Sequence, residues 1–190
     1  MLNGVSKAKS WEKPSRNDAQ LDAFDGETFY ECKCQEIFYK KEGLSKSYIP
    51  CLKKYFDIDG LSDDGTNIVA SLADLHIDLE ENINYREACF DVKQLFTHLC
   101  AINKEAHRVG KNYTLKYIFF KPNEKIVADC ECIKKIYTQL EAEIAAIRNS
   151  PIFNCSNNMV GFECEFVAVD SDEMKKRPAD LFLEKYKRKY

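Results

Sequence analysis

The sequence predicts an α/β domain: a central mixed β-sheet flanked by helices. Three observations carry that expectation. Two short runs of alternating apolar residues surround Asp25-Gly26 and read as a β-hairpin. The stretch Leu115-Lys-Tyr-Ile-Phe-Phe120 is apolar enough to be a central strand. Two longer segments repeat apolar residues at spacings of three and four, as amphipathic helices do.

In chain order, residues 1–17 are polar and contain Pro14, and read as an arm. The main domain then spans residues 18–170. It opens with Ala19-Gln-Leu-Asp-Ala-Phe24 and Glu27-Thr-Phe-Tyr-Glu-Cys-Lys-Cys34, the arms of the hairpin. Gln35 to Lys41 fits either a helix start or a continued strand, and Ser47 to Phe56 has helical spacing. Asp57 to Thr66, with Asp59-Gly60 and Asp64-Gly65, is a loop. Its composition is close to that of a calcium loop but lacks the final glutamate ligand. Ile68 to Leu79 fits a short helix or a strand. Tyr85 to Asn103 is the clearest helix, with Ala88, Val92, Leu95, Phe96, Leu99 and Ile102 on one face and a stop at Gly110. A strand at Tyr113 to Phe120, a turn at Pro122-Asn123, a helix from Asp129 to Arg148 and a strand from Gly161 to Val169 follow. Residues 171–190 form a basic C-terminal tail, helical from Pro178 onward.

Bulk composition narrows the class. Hydrophobic and charged fractions of 45% and 31% are those of a globular protein. No apolar run approaches the roughly 18 residues of a membrane span, and Met1 to Arg16 do not form a secretory leader. The expected compartment is therefore the cytoplasm, with no membrane partner. A net charge of −3 argues against a protein that coats nucleic acid without specificity. The charge is nonetheless segregated: ten acidic residues between Asp57 and Asp91 face the single Arg86, whereas the tail and the Lys40–Lys54 stretch are basic. Nine cysteines include two C-x-C pairs, Cys32/Cys34 and Cys130/Cys132. Zinc-site spacing is absent, so they read as free, mostly buried thiols; a zinc or iron–sulfur protein is the minority reading. No phosphate loop, dinucleotide-binding glycine motif or nucleophile elbow is present. His76 and His107 lack partners at ligand spacing.

The hairpin holds the chemistry. With Asp25-Gly26 as a two-residue turn, Phe24 opposes Glu27, Asp22 opposes Phe29 and Gln20 opposes Glu31. Alternation then places Asp22, Glu31, Lys33 and Gln35 on one face, with Asp22 and Glu31 as diagonal neighbours. Leu21, Ala23, Tyr30, Cys32 and Cys34 make the apolar reverse. Two adjacent carboxylates repel unless a cation joins them, and oxygen ligands suit Mg²⁺. Such a metal polarises a phosphodiester and activates water, and a lysine two residues on is placed to hold that water or to neutralise the oxyanion. Asp91, Gln94 and His98 share a stripe beside the apolar face of the first long helix, and Lys93 or Gln94 is placed to reach the site.

Leu21-Asp22-Ala23-Phe24 followed by Tyr30-Glu31-Cys32-Lys33 resembles the D…E-x-K core of the PD-(D/E)XK, or restriction-endonuclease-like, nuclease superfamily. The specific motif covers Asp22 to Gln35; the order of elements is similar from Ala19 to Val169. The resemblance implies a restriction-endonuclease-like sheet, one or two divalent metals (Mg²⁺ or Mn²⁺), and hydrolysis of DNA. By resemblance, Asp22 and Glu31 become metal ligands, with the Cys32 backbone carbonyl a third. Lys33 is the catalytic lysine and Gln35 a further polar active-site residue. Exonuclease-like members carry a glutamine and, four residues later, an aromatic residue on a helix after E-x-K; Gln94 with His98 is similar but departs at the second position. The chain also departs before Asp22, where the family usually has a helix and this sequence has only Glu12 and Asp18 in an irregular lead-in.

The expected function is thus a metal-dependent deoxyribonuclease, a restriction, defence or repair endonuclease with DNA as partner. The alternative is an inactive protein of the same fold that binds nucleic acid or a protein partner, or pairs with a second copy of itself.

Overall fold

A computed structural model describes residues 21–34, 36–38, 74, 88–154 and 158–186. The N-terminal arm, Gln20, Gln35, His76 and the elements expected at 47–56, 57–66 and 68–79 lie outside the described residues.

The architecture is α/β, a four-stranded mixed sheet in the order β1-β2-β3-β4 with helices on both faces. Strand β1 (Ala23–Phe24) runs antiparallel to β2 (Thr28–Lys33). Strands β2, β3 (Tyr113–Pro122) and β4 (Val160–Val169) are mutually parallel. Parallel neighbours need long crossovers. One contains α1 (Val92–Val109) and the other contains α2 (Glu124–Ala128) and α3 (Glu131–Arg148). The chain ends its described part in α4 (Pro178–Tyr186).

The hairpin register differs from the expected one. Ala23 pairs with Tyr30 and Phe24 with Phe29, a register shifted by two, and Asp25 to Glu27 connect β1 to β2. The cause is the Asp25 side chain. Its Oδ1 accepts from the amides of Glu27 (2.9 Å) and Thr28 (2.7 Å), and Oδ2 accepts from the Tyr30 hydroxyl. This Asx-type turn shifts the pairing by two residues, and Gly26 supplies the positive φ of 105°. Continued by one residue, the register puts Asp22 directly across from Glu31 instead of across from Phe29. A slip of two keeps each side chain on its face.

The two sheet faces carry separate cores. Phe29 of β2 and Leu115, Tyr117 and Phe119 of β3 pack under α1 and α3, against Leu95, Phe96, Leu99, Leu140, Ile144 and Ile147. The reverse face, with Cys32, Cys34, Ile118 and Phe120, is closed by Leu181 and Phe182 of α4. Residues 178–186 are therefore a helix seated on the sheet, and cations in and just before it are paired, as in Lys185–Glu173 and Lys176–Glu184. Leu21, expected on the reverse, packs against the larger core instead. The face that bears Asp22, Glu31 and Lys33 is likewise mainly core, with the polar residues at its margin.

Helix α1 begins at Val92, later than the expected Tyr85. Asp91 is its N-cap, accepting from the Gln94 amide at 2.8 Å. Just upstream, the amides of Cys89 and Phe90 donate to the Glu143 carboxylate of α3, the shortest bond being 2.7 Å. That long-range anion holds 88–90 out of the helix. At the other end Gly110 adopts a left-handed φ of 69° and closes the helix. The helix expected at 129–148 is α3, which starts two residues later at Glu131, and the separate short helix α2 precedes it just after the turn at Pro122-Asn123. Among the described residues no helix is long and apolar enough to cross a membrane.

Candidate functional site

Strand β2 delivers Glu31 and Lys33 to one face, two residues apart. Parallel pairing sets Glu31 beside Tyr117 and Lys33 beside Phe119. From the other side α1 descends with Gln94 in its first turn, a position fixed by the Asp91 cap. The three side chains meet in a closed triangle. Lys33 Nζ donates to Glu31 Oε1 at 2.5 Å and to Gln94 Oε1 at 2.6 Å, and Gln94 Nε2 donates to Glu31 Oε1 at 2.9 Å. Both groups of the Gln94 amide are therefore used, one for the anion and one for the cation.

Asp22 reaches the same place from β1. Its Oδ2 accepts the Cys32 amide at 2.8 Å, and its negative charge acts on Glu31. The Cys32 side chain is buried on the reverse face, so only the Cys32 backbone takes part.

Glu31 is only 5% exposed. Burial pushes its carboxyl up to about 7; Lys33 opposes that shift and Asp22 adds to it. Behind it lies His98, one turn along α1 from Gln94 and itself buried. His98 Nε2 stands 4.0 Å from Glu31 Oε2, and Nδ1 shares a 3.0 Å hydrogen bond with the Tyr117 hydroxyl. Burial, then the charges of Glu31 and Asp91, raises the Tyr117 phenol well above its ordinary value. A small cleft lined by Lys33, Glu36, Asp91 and Tyr117 opens beside the cluster. Acidic groups thus outnumber the single Lys33 at its edge.

The structure therefore brings Asp22, Glu31, Lys33 and Gln94 together, with the Cys32 backbone among them. Gln35 lies outside the described residues. Lys93, the other side chain of the helix start weighed for the site, is not part of this hydrogen-bonded group. His98 is buried beside Glu31, and its spacing of four from Gln94 was the available signal. Tyr117 and Glu143 had none, because each acts through an element remote in sequence.

Among the described residues no group of three or more His, Cys, Asp and Glu side chains is arranged to hold a metal ion. A zinc-type site, closed by four protein ligands, does not fit here. The donor set does fit a hydrated Mg²⁺ or Mn²⁺, which takes one or two carboxylates and fills its shell with water and phosphate oxygens. Asp22 and Glu31 are such a pair, and each ionised oxygen can accept more than one bond.

Comparison with protein-family models, with curated proteins and with solved structures gives no match for this chain.

Proposed function

We propose that this chain is a metal-dependent nuclease that hydrolyses DNA phosphodiester bonds, with a restriction-endonuclease-like arrangement of its sheet. The observation that carries the reading is the Glu31–Lys33–Gln94 triangle with Asp22, the residue before β1, bonded to the Cys32 backbone beside it. Asp22, Glu31 and the Cys32 carbonyl would hold Mg²⁺ or Mn²⁺. The bound cation would lower the pKa of a water and offset charge on the phosphate.

The remaining work falls to the chain itself. Lys33 projects its ammonium group beside Glu31, where it orients a nucleophilic water or stabilises the oxygen on which charge develops. Gln94 fixes that ammonium by its carbonyl and fixes Glu31 by its amide, which limits both rotamers. His98 and Tyr117 close the back of the site and keep water from the inner side of Glu31. DNA binding would rest on Lys and Arg contacts to phosphates and would weaken steeply with salt.

The test is cleavage of plasmid and linear DNA with Mg²⁺, Mn²⁺ or EDTA, by the wild type and by Lys33→Ala. Metal-dependent cutting that EDTA and Lys33→Ala both abolish is the expected result. Undiminished cutting by a folded Lys33→Ala protein would end the assignment.

One observation favours a second reading, an inactive protein of this fold that binds DNA or a protein partner. Glu31 Oε1 is already engaged by two donors, so Lys33 can serve as its internal counter-ion without a metal. On that reading DNA binds, nothing is cut, and Mn²⁺ leaves the thermal midpoint unchanged.

A further inference from the structure

Two C-x-C pairs occur in the chain, and the fold treats them oppositely. Cys32 on β2 and Cys34 just past its end are each 2% exposed, in the core beneath α4. Burial pushes the Cys34 thiol up to about 11 and the Cys32 thiol higher still. Such thiols are inert. Cys130 and Cys132 stand at the surface, at the junction of α2 and α3. Within a regular helix, side chains two apart diverge. Here Cys130 is the N-cap of α3, with an extended backbone (φ −134°, ψ 97°) outside the regular helix. The result is an Sγ···Sγ distance of 2.9 Å, about 0.9 Å longer than a disulfide bond.

We propose that Cys130 and Cys132 form a reactive dithiol that exchanges with low-molecular-weight disulfides of the glutathione type and closes to an intramolecular disulfide. Cys130 is the attacking sulfur. It caps the positive end of an 18-residue helix, a setting that favours the thiolate. The hydrogen bond from the Cys132 thiol also holds Cys130 below the ordinary thiol value. Asp129 and Glu131 flank Cys130 and oppose the thiolate, while Lys134 and Lys135 follow in the next turn. In the first step the Cys130 thiolate attacks one sulfur of RSSR. The S–S bond breaks, Cys130–S–SR forms, and RS⁻ leaves with the proton that Cys130 gave up. In the second, the Cys132 sulfur attacks that of Cys130 and expels a second RSH. The protein loses two protons and two electrons, and the disulfide becomes two thiols.

The full chain gives a direct readout, because cleavage after Lys125 and Lys134 releases residues 126–134, whose only cysteines are this pair. Folded protein is treated with oxidised glutathione, quenched with iodoacetamide, digested and weighed. The expected 126–134 peptide is two hydrogens lighter and unalkylated, returns to the doubly alkylated form after dithiothreitol, and forms while Cys32 and Cys34 remain reduced. Cys132→Ser should retain one glutathione on Cys130, and Cys130→Ser should slow the reaction at that peptide by about tenfold. A wild-type peptide alkylated on both cysteines after the treatment overturns the proposal. So does a Cys132→Ser protein that takes up no glutathione, or oxidation of the buried pair at an equal rate.

Discussion

Gln94 Oε1 lies 2.6 Å from Lys33 Nζ across 61 residues of sequence. That contact joins the first turn of α1 to the end of β2, and it makes the site dependent on the helix start.

Replacing Gln94 by leucine keeps volume and removes both amide contacts. Glu31 and Lys33 then keep each other but each lose one buried hydrogen bond, and stability should fall by about 1–3 kcal/mol in urea unfolding. Groups that orient metal ligands typically matter by about 10–100-fold, and if the proposed function holds, the Mg²⁺-dependent cleavage rate should drop within that range. A Gln94→Leu enzyme with wild-type rate would remove Gln94 from the machinery.

Glu143 sets the same helix start from the other side of the core. It is buried, and its carboxylate accepts from Cys89, Phe90 and Gln139. Glu143→Ala leaves two backbone amides without their acceptor, an expected loss of about 3 kcal/mol. Asp91→Ala removes only the cap, about 1 kcal/mol. Asp91 and Glu143 fix adjacent stretches, so a double-mutant cycle should show non-additivity; strictly additive losses would mean the two act independently.

Gly110 ends α1 with φ of 69° and has open space where a Cβ would lie. Steric conflict is thus excluded, and only the left-handed backbone resists a side chain. Gly110→Ala should lower stability by about 1 kcal/mol, and Gly110→Asn by less. Equal stability of all three in a thermal scan would contradict the assigned cap.

Much of this arrangement was legible in the sequence, for physical reasons that differ by element. The strands Tyr113–Pro122 and Val160–Val169 and the helix at Pro178–Tyr186 follow from periodicity, since their buried faces are local patterns. Gln94 was reachable because helical spacing put it beside the apolar stripe. The hairpin register was misread because the Asp25 side chain, not a backbone rule, decides how many residues enter the turn. The late start of α1 was hidden for a similar reason: the Glu143 anion that holds Cys89 and Phe90 comes from more than fifty residues away. The polar-over-apolar picture of the hairpin also failed, because α1 and α3 cover the site face with a core of their own.

Glu31 gives the pH signature. Its carboxyl titrates near 7 in the folded protein against an ordinary 4.5, chiefly through burial. Below pH 4.5 it is neutral in both states. Between the two values the unfolded chain has released its proton while the folded chain retains it. Stability therefore falls as pH rises through that window, by on the order of 3 kcal/mol, and levels off above it. Glu31→Gln removes this dependence, so unfolding free energies of the two proteins should diverge from pH 5 to pH 8 in favour of the variant. A divalent cation acts in the opposite sense, because it binds the ionised carboxylate and releases the proton. Millimolar Mn²⁺ at pH 8 should raise the thermal midpoint of the wild type and leave that of Glu31→Gln in place. Parallel pH profiles would show that Glu31 ionises normally; divergent profiles with no response to Mn²⁺ would leave a strained carboxylate whose counter-ion is Lys33 alone.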